Sequence, residues 1–312
     1  FSSSLSPATA SKQMSSPVPV RRERMDALGA SFLIGFNLLL GLNQALVKLV
    51  NAGFSPVFQV GLRSACAFLP VLLYALFTRK RLSVSDGTLG PGILLGVLFS
   101  AEFCLMFVAL DLTTVSRVSL FFYTMPLWVA VGAHFLIDGE RLSLQKVLGL
   151  GTAFAGIALA LLANDGAGGS AAHWQGDLLA LLGAFCWAGI ALLARTTRLT
   201  ETSAEMNLLY QLAVSAIIVI PLAYWLGDTI RAPTAAIYGM FAFQVIVIVA
   251  IGFVVWFWIL SVYPATSMAS FSLLTPVFGI FFGWLIFDDA LTLSFVASLL
   301  LVGVGLVLVN RN

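Results

Sequence analysis

Charged residues are scarce in this sequence. Only 10% of its 312 residues are charged, 60% are hydrophobic, and the mean hydropathy is +1.01. A water-soluble chain of this length needs a far larger polar surface to cover its core, so the composition excludes a soluble globular protein. The sequence therefore predicts a chain that crosses a membrane several times.

Residues that commonly catalyse reactions or bind metals are also few. The two histidines, His134 and His173, lie far apart, and the sequence has no HExxH motif and no phosphate-binding glycine loop. The three cysteines, Cys66, Cys104 and Cys186, lie in apolar runs without a CxxC spacing, which favours a packing role over a metal site or a disulfide. We therefore expect no enzyme activity, no catalytic residue, no metal and no cofactor.

Long apolar runs, by contrast, are abundant. About 20 apolar residues in helical form cross the bilayer core. These runs are continuous and bounded by charges, which predicts helices rather than the alternating strands of a barrel. We predict an all-α polytopic membrane protein with ten transmembrane helices, at residues 27–50, 57–77, 89–110, 115–136, 144–163, 177–194, 205–226, 237–260, 265–287 and 292–309.

Charges in the connecting segments predict an orientation. If the side of the N-terminus is called inside, twelve lysines and arginines lie inside and three lie outside, at Lys48, Arg117 and Arg231. Because cytoplasmic loops carry the excess of positive charge, both termini are predicted to be cytoplasmic. Residues 1–24, rich in serine and proline, are predicted to form a disordered tail, and residues 164–176 a flexible extracytoplasmic linker.

The two halves of the chain resemble each other. The segment "FFYTMPLWVAVGA" aligns with "FSLLTPVFGIFFG", which matches Pro126 with Pro276, and the turn "DGERLS" aligns with "DDALT". Each copy has five predicted spans, and because five is odd the second copy enters the membrane from the opposite face. We therefore expect two inverted five-helix repeats, at residues 25–163 and 177–312, an arrangement typical of secondary transporters.

These motifs carry a resemblance to a known family. The proline in the middle of the fourth span, the "GERLS" turn after it and "GAFCWAGIALLAR" in the sixth span resemble the EamA family of the drug/metabolite transporter superfamily. The resemblance covers residues 27–310. With "SAEFCL" in the third span and the many aromatic residues, the chain is most similar to bacterial exporters of aromatic amino acids.

The resemblance implies a fold and a function. The fold is a basket of ten helices, in which spans 1, 3, 4, 6, 8 and 9 line a central cavity and spans 5 and 10 lie at the periphery. The function is export of amino acids, with aromatic ones preferred, or of similar small metabolites across the bacterial inner membrane by alternating access. Two departures weaken the internal symmetry: Leu40 lies opposite Trp187, and Asp289 lies opposite Glu140.

Other functions are compatible with the same sequence. The chain could export other drug-like or flat cationic metabolites, or it could be a passive channel or scaffold, because an inverted repeat makes alternating access available without showing that it is used. Without an ATP-binding motif, transport is either downhill or coupled to protons. The expected partners are the substrate, the lipid bilayer and, for coupled transport, protons, and no nucleic acid is expected.

One carboxylate, Glu102, lies in an otherwise apolar run. It lies roughly 12 Å from the outer end of the third span, and Arg63 lies roughly 9 Å from the outer end of the second span. An unpaired charge in the membrane costs at least ~2.5 to 3.5 kcal/mol. Either the two residues form a structural ion pair, or Glu102 faces the cavity and binds the amino group of the substrate or carries a proton.

The repeated prolines predict two helix kinks. Pro126 and Pro276 lack an N–H group and collide with the preceding turn, which frees the carbonyls of Phe122 and Ser272. These carbonyls would either only shape the bundle or accept hydrogen bonds from a substrate ammonium group. Ser272 is therefore a candidate binding residue.

Aromatic and polar side chains complete the candidate site. Trp187 lies in the middle of the sixth span beside small residues, and a stacking wall for an aromatic or flat cationic substrate would consist of Trp187, Tyr123, Met125 and Trp258. The alternative is that these side chains only fill the bundle. Among the polar residues of the first span, we expect two to form interhelical hydrogen bonds, and we select Asn43 as a substrate contact from the set Asn37, Asn43 and Gln44.

Overall fold

The chain consists of helices and short connections. The structure is a computed structural model, which describes residues 26–80, 82–84, 86–162, 172–262, 271 and 274–310. The α-helices are α1 (Ala27–Val50), α2 (Pro56–Phe77), α3 (Leu89–Leu112), α4 (Val115–Phe122), α5 (Met125–Leu136), α6 (Leu144–Leu162), α7 (Ala172–Thr196), α8 (Ala204–Leu226), α9 (Ala235–Phe243), α10 (Gly252–Val262), α11 (Leu274–Phe287) and α12 (Leu293–Asn310). A 3-10 turn, Arg198–Glu201, precedes α8, and a π-helix, Gln244–Ile251, joins α9 to α10.

Within the part of the chain that the structure describes, seven helical segments are long and apolar enough to cross a membrane. They are α1, α2, α3, α6, α8, most of α7, and the interrupted segment Val115–Leu136, which comprises α4 and α5. Three further apolar stretches are shorter, namely Ala235–Ile251, Leu274–Phe287 and Leu293–Val309. The chain is therefore an all-helical, multi-pass membrane protein, and the count of ten spans stays a prediction.

The structure differs from the predicted boundaries at two places. The fourth predicted span is divided, because α4 ends at Phe122 and α5 begins at Met125. Helix α7 begins at Ala172, so the last part of the predicted linker is helical. There Gly176 packs so closely on the end of α3 that a Cβ atom on it would lie 2.7 Å from Cβ of Thr113. This close contact holds the extra turn against α3. The predicted tail at 1–24 and residues 164–171 of the predicted linker lie outside the described residues.

Side-chain caps explain where several helices begin. The side chain of Asp26 accepts a hydrogen bond from the backbone N–H of Gly29 at the start of α1. Ser55, Thr114 and Ser203 accept similar bonds at the starts of α2, α4 and α8. Each cap satisfies a backbone donor that a helix start would otherwise leave without a partner.

Glycines allow the last helix of each half to touch backbone to backbone. Helix α6 packs along α12, and a Cβ atom on Gly305 would lie 2.6 Å from the carbonyl oxygen of Gly149 and 2.6 Å from Cβ of Ala153. Gly156 of α6 is equally close to the backbone of α12, at the carbonyl of Ser298. Because no side chain could fit there, small residues are required along this seam.

The remaining helices pack as neighbours around the centre of the bundle. Helix α3 lies against α7 and α8, α2 against α8, α1 against α11, and α4 against both α7 and α11. Among the described residues, the largest cluster of buried apolar side chains lies where α3, α4, α5, α6 and α12 meet, and it includes Phe107, Phe121 and Leu127. Helices α1, α3, α4, α7 and α11 therefore enclose a common interior.

The two ends of the bundle differ in their connections. At one end α1, α3 and α8 finish and α2, α4 and α7 begin, and we call this the Lys48 end. Ser55 N–H donates to the carbonyl of Thr229 there, and Arg231 N–H donates to the carbonyl of Gly53. At the opposite end the described residues include the ion pair Lys80–Glu205 at 3.0 Å and the exposed pair Arg195–Glu140.

Candidate functional site

Glu102 lies in the interior of the bundle. Its side chain is buried on α3, with 4% of the residue exposed. Arg63 on α2 is the cation with which it interacts electrostatically, yet within the described part of the chain the two do not form a direct ion pair. The structure therefore does not contain the direct contact that a purely structural pair requires.

Glu102 differs in this respect from the other buried acids of the described residues. Asp177 is paired with Arg117, Glu205 is paired with Lys80, and Asp289 accepts the backbone N–H of Ser116. A buried carboxylate without such a partner is costly, because desolvation is not offset by hydrogen bonds. Among the buried acids of the described residues, Glu102 is thus the one without a direct ion pair or a hydrogen bond of this kind.

Three aromatic side chains form a cluster close to Glu102. The ring of Trp187 on α7 stacks on Phe122, with centroids 5.1 Å apart and an interplanar angle of 19°. The ring of Tyr123 meets Trp187 edge-on at 5.7 Å. Tyr123 interacts electrostatically with Glu102. A carboxylate and aromatic faces therefore share one region of the interior, an arrangement that suits a cationic or aromatic ligand.

The break between α4 and α5 places Tyr123 in this cluster. Tyr123 and Thr124 lie between the two helices, and Pro126 occupies the first turn of α5. The hydroxyl of Thr124 donates to the carbonyl of Phe121 at 2.6 Å, which satisfies an acceptor at the end of α4. Pro126 has no N–H group and cannot continue the hydrogen bonds of α4, so the helix ends before it. The resulting turn places the ring of Tyr123 in the cluster.

A polar layer lies beside the cluster and connects α1 to its neighbours. Ser119 on α4 donates to Oε1 of Gln44 at 2.6 Å, and Thr275 on α11 donates to Oδ1 of Asn37. The hydroxyl of Tyr123 faces Gln44 and Thr275. Two of the three polar residues of α1 therefore make interhelical hydrogen bonds, as the sequence predicts.

Two polar atoms of this layer are buried without a partner. Oδ1 of Asn43 and Nε2 of Gln44 have no hydrogen bond among the described residues. Buried polar atoms are nearly always satisfied, so each of these atoms calls for an explanation. Both atoms belong to α1, and Gln44 is the one placed beside the aromatic cluster, because the hydroxyl of Tyr123 faces it.

A buried ion pair closes the Lys48 end. Arg117 at the start of α4 donates from Nε to both oxygens of Asp177 on α7 at 3.0 Å, and from Nη2 to Oδ2 at 2.5 Å. The side chains are 14% and 1% exposed. Arg117 also donates to the carbonyl of Ala160 at 2.9 Å, and Thr113 donates to Asp177 at 3.2 Å. One charge pair thus joins α3, α4, α6 and α7.

Two further cations close the same end. Nζ of Lys48 donates to the carbonyls of Leu110 and Thr113 at 2.6 and 2.7 Å, which satisfies acceptors at the end of α3. Arg231 donates to Asp111 at 3.0 Å and to Asp228 at 3.1 Å. Burial alone would lower the pKa of Arg231, but the hydrogen bonds to these carboxylates outweigh it, so the pKa is raised and the cation is retained.

An apolar cavity lies in the other half of the bundle. It has a volume of about 560 Å³ and lies between the first part of α1 and the segment formed by the π-helix and α10. Its lining residues include Phe32, Phe36, Val247, Gly252 and Val255. Hydrogen bonds and ion pairs therefore close the Lys48 end. Beside the cavity α1 and α10 remain in contact, because Leu33 packs with Ile259 and Val262 and the ring of Phe36 stacks on Trp256 at 5.1 Å.

The structure brings part of the predicted site together. Glu102, Tyr123 and Trp187 lie in one region, Asn43 is buried on the adjacent α1, and Met125 is partly buried at the start of α5. The side chain of Trp258 and the whole of Ser272 lie outside what the structure describes, and Pro276 lies in the first turn of the described part of α11.

Sequence reasoning missed several members of this region. The stacking role of Phe122 and the Thr275 hydroxyl carried no distinctive signal in the sequence. The Arg117–Asp177 pair could have been found, because both residues adjoin apolar runs at the same predicted membrane surface. Among the described residues, no group of three or more potential metal ligands lies together.

Comparison with known proteins decides the family. The model of the EamA-like transporter family matches the chain twice, at residues 27–162 and 174–311. The chain belongs to the EamA-like transporter family. It contains two copies of the EamA repeat, and its helices α1 to α6 and α7 to α12 correspond to the two copies.

Two relatives of this EamA protein come from Bacillus subtilis strain 168. The uncharacterized transporter YoaV is 23% identical over 88% of this chain and 94% of the relative, and the uncharacterized transporter YvbV is 26% identical over 92% of each. A crystal structure of another protein shares the fold, with a TM-score of 0.62 and 19% identity over 91% of this chain and 96% of that one. The EamA protein is therefore a membrane transporter of the drug/metabolite superfamily.

Proposed function

We propose that this EamA protein exports amino acids, with aromatic ones preferred, or similar small metabolites across the bacterial inner membrane. The observation that carries the proposal is Glu102, a buried carboxylate without a direct ion-pair partner among the described residues, beside the rings of Phe122, Tyr123 and Trp187. The carboxylate binds the ammonium group of the substrate, and the rings contact its side chain.

The binding site lies in the middle of the membrane, where such interactions are selective. A carboxylate that is shielded from water attracts an ammonium group more strongly than one at the surface does. Aromatic contacts add about 0.5 to 1.5 kcal/mol for a stacked ring beyond the burial of its area. Aromatic amino acids therefore gain from both parts of the site, whereas small amino acids gain mainly from Glu102.

The substrate moves by alternating access between two inverted repeats. Ten helices form a basket in which residues 25–163 and 177–312 are the two repeats, and Asn43, Met125, Trp258 and Ser272 complete the lining of the cavity. The closed Lys48 end and the cavity of about 560 Å³ between α1 and α10 support a conformation that is open toward one side only.

The direction of transport follows from the orientation. The excess of positive charge places both termini in the cytoplasm and the Lys48 end outside. The cavity beside the first part of α1 then lies in the cytoplasmic half of the bundle, so we infer that the described conformation takes up substrate from inside. Opening of the Lys48 end afterwards releases the substrate outside.

Flux in proteoliposomes tests the proposed function. The purified protein is assayed with phenylalanine, tryptophan, alanine, glutamate and a flat organic cation, with and without an imposed pH gradient. We expect phenylalanine and tryptophan to be transported fastest, and Glu102→Gln to lose this transport. The matched control is Glu140→Gln, which neutralises an exposed acid of the opposite end and should retain transport.

A second outcome would favour a different substrate class. Glu102 and the aromatic faces would also suit a flat cation without a carboxylate. Rapid transport of the organic cation together with no transport of any amino acid would replace the proposed function with export of cationic metabolites. Flux that is equal for all solutes and does not saturate would indicate a channel instead.

A further inference from the structure

Arg63 lies among aromatic rings with part of its hydrogen-bonding capacity unused. Its guanidinium carbon lies 5.3 Å from the ring centroid of Phe103 and 5.7 Å from that of Phe107. Its Nη1 nitrogen is buried and has no hydrogen-bond partner among the described residues. The rings stabilise the positive charge, but they cannot accept the strong N–H bonds that a guanidinium group normally makes.

The Arg63 side chain borders a small internal cavity. This cavity has a volume of about 30 Å³ and is lined by residues that include Arg63, Ser64, Phe99, Val249 and Phe253. One water-sized group needs about 10 to 15 Å³ of such space. The cavity therefore has room for about two atoms of oxygen size, which is enough for the two oxygens of a carboxylate group.

The nearest complementary charge does not satisfy Arg63. Glu102 attracts the guanidinium group electrostatically, but the two residues do not form a direct ion pair in the described part of the chain. By contrast, Arg117 makes a bidentate contact with Asp177. Two opposite charges in the interior are thus held within electrostatic range and apart from one another.

We propose that Arg63 and Glu102 bind the two ends of one zwitterion, Arg63 the carboxylate and Glu102 the ammonium group of an α-amino acid. The inference rests on the proposed function and narrows its substrate class. A zwitterion satisfies both charges at once. Its ammonium and carboxylate groups lie close together, so one molecule can reach both residues only because Arg63 and Glu102 lie within electrostatic range of each other. A guanidinium fork is also the side chain that best matches a planar carboxylate.

The π-helix lies between the small cavity at Arg63 and the large apolar cavity. Val249 of the π-helix borders the small cavity, whereas Val247 and Ile251 border the cavity of about 560 Å³. The same segment therefore separates the proposed carboxylate position from the large apolar space.

An amine that lacks the carboxylate should bind poorly. It would leave the Arg63 guanidinium unsatisfied and would place a second cation near it, so one charge-assisted bond is lost and a repulsion is added. We expect phenylalanine to bind about tenfold or more tightly than 2-phenylethylamine for this reason. Phenylalaninamide, whose carboxamide is neutral, should also bind more weakly than phenylalanine by a similar factor.

Competition in the proteoliposome assay tests the inference. Uptake of labelled phenylalanine is inhibited by unlabelled phenylalanine, 2-phenylethylamine and phenylalaninamide, in the wild type and in Arg63→Gln. We expect the preference for phenylalanine over the amine to fall from about tenfold to less than about twofold in the variant, with inhibition by the amine retained. The matched control is Arg141→Gln, an exposed arginine between α5 and α6, which should keep the full preference.

The wild-type measurement alone distinguishes a failure of the zwitterion site from a failure of the proposed function. If the wild type transports phenylalanine but phenylalaninamide and the amine compete equally well, the zwitterion site is wrong while the proposed function stands. If the wild type transports no amino acid, the proposed function itself fails. Should Arg63→Gln not fold, Arg63→Lys keeps the charge without the planar fork, and an unchanged preference in that variant would also overturn the role of Arg63.

Discussion

Replacement of Asp177 by asparagine should open the Lys48 end of the bundle. Asp177 and Arg117 are 1% and 14% exposed and share a bidentate contact, so the substitution leaves a largely buried guanidinium group without its counter-charge. Removal of one partner of a buried pair costs about 3 to 5 kcal/mol. Asparagine can still accept one hydrogen bond from Arg117, so the lower value, about 3 kcal/mol, is the appropriate one.

This free energy acts on the balance between the two conformations. The pair joins α4 and α7 across the closed end, and opening of that end would break it in any case. The substitution therefore destabilises the closed conformation alone. A difference of about 3 kcal/mol changes the ratio of closed to open molecules roughly a hundredfold, which would bring a ratio of 99:1 to about 1:1.

Alkylation of a native cysteine measures this change. Cys186 lies on α7 and interacts electrostatically with Glu102, so its thiol reports access to the candidate site. In a Cys66→Ala, Cys104→Ala background, an impermeant maleimide is added from the extracytoplasmic side. The rate of alkylation should be low in the parent chain and should increase by roughly 10-fold to 100-fold in Asp177→Asn.

The neighbouring exposed pair provides the control. Arg231 and Asp111 are 33% and 29% exposed, and an ion pair of that kind contributes only ~0.2 to 1 kcal/mol. Asp111→Asn should therefore change the rate by at most about fivefold. If Asp177→Asn keeps its thermal stability and alkylation of Cys186 is as slow as in the parent chain, the Arg117–Asp177 pair does not hold this end closed.

Three more predictions address packing, selectivity and orientation. Gly305→Ala should lower the melting temperature, because its methyl group would overlap Ala153 at a cost of about 1 to 3 kcal/mol. Gly303→Ala should leave the melting temperature unchanged, because a Cβ atom at that position has no heavy atom within 4 Å. Equal melting temperatures of the two variants would contradict the close contact between α6 and α12. Trp187→Ala should reduce transport of phenylalanine relative to alanine by about fivefold, since a stacking contact worth ~1 kcal/mol is lost, while Trp187→Phe should keep most of the ratio; a uniform loss together with a lower melting temperature would show that the ring only fills space. In intact cells a cysteine at position 170 should react with an impermeant thiol reagent and one at position 80 should not, and the reverse labelling would invert the orientation.

The helical architecture could be predicted because the membrane constrains it. A chain in hydrocarbon must satisfy its backbone internally, so a continuous apolar run predicts a helix almost without further information. The break between Phe122 and Met125 was also accessible, since Pro126 cannot continue a helix. The family resemblance was accessible for the same reason, because the matched prolines and turns are backbone features.

Neither the π-helix nor the lack of a direct contact between the described side chains of Arg63 and Glu102 could be predicted from the sequence. Nothing in the sequence from Gln244 to Ile251 distinguishes an i+5 from an i+4 hydrogen-bond pattern, because seven of its eight residues are apolar and would be accepted in either helix. Similar membrane depth for Arg63 and Glu102 predicted that they are neighbours but not whether they are in contact. A direct contact depends on how α2 and α3 are rotated, and rotation is set by packing with α8 rather than by local sequence.

The aromatic residues show an intermediate case. Their number predicted a ring-lined interior, and Tyr123 and Trp187 do meet there. The ring that stacks on Trp187 is Phe122, which lies one residue from Tyr123 and carried no separate signal. The turn after α4 brings the rings of both Phe122 and Tyr123 against Trp187. The ring that stacks on Trp187 therefore could not be predicted before the fold was known.

The eight-residue π-helix between α9 and α10 fixes which side chains face α1. A turn with i+5 hydrogen bonds contains about one more residue than an α-turn, and in an α-helix each residue rotates the following chain by about 100°. Removal of a single residue from Gln244–Ile251 would therefore turn Gly252 and Val255 away from α1 while leaving α9 in place. Chain length in this segment, rather than the chemistry of any one side chain, sets the shape of the large cavity, so single-residue insertions and deletions here should alter the selection of substrates more than most substitutions do.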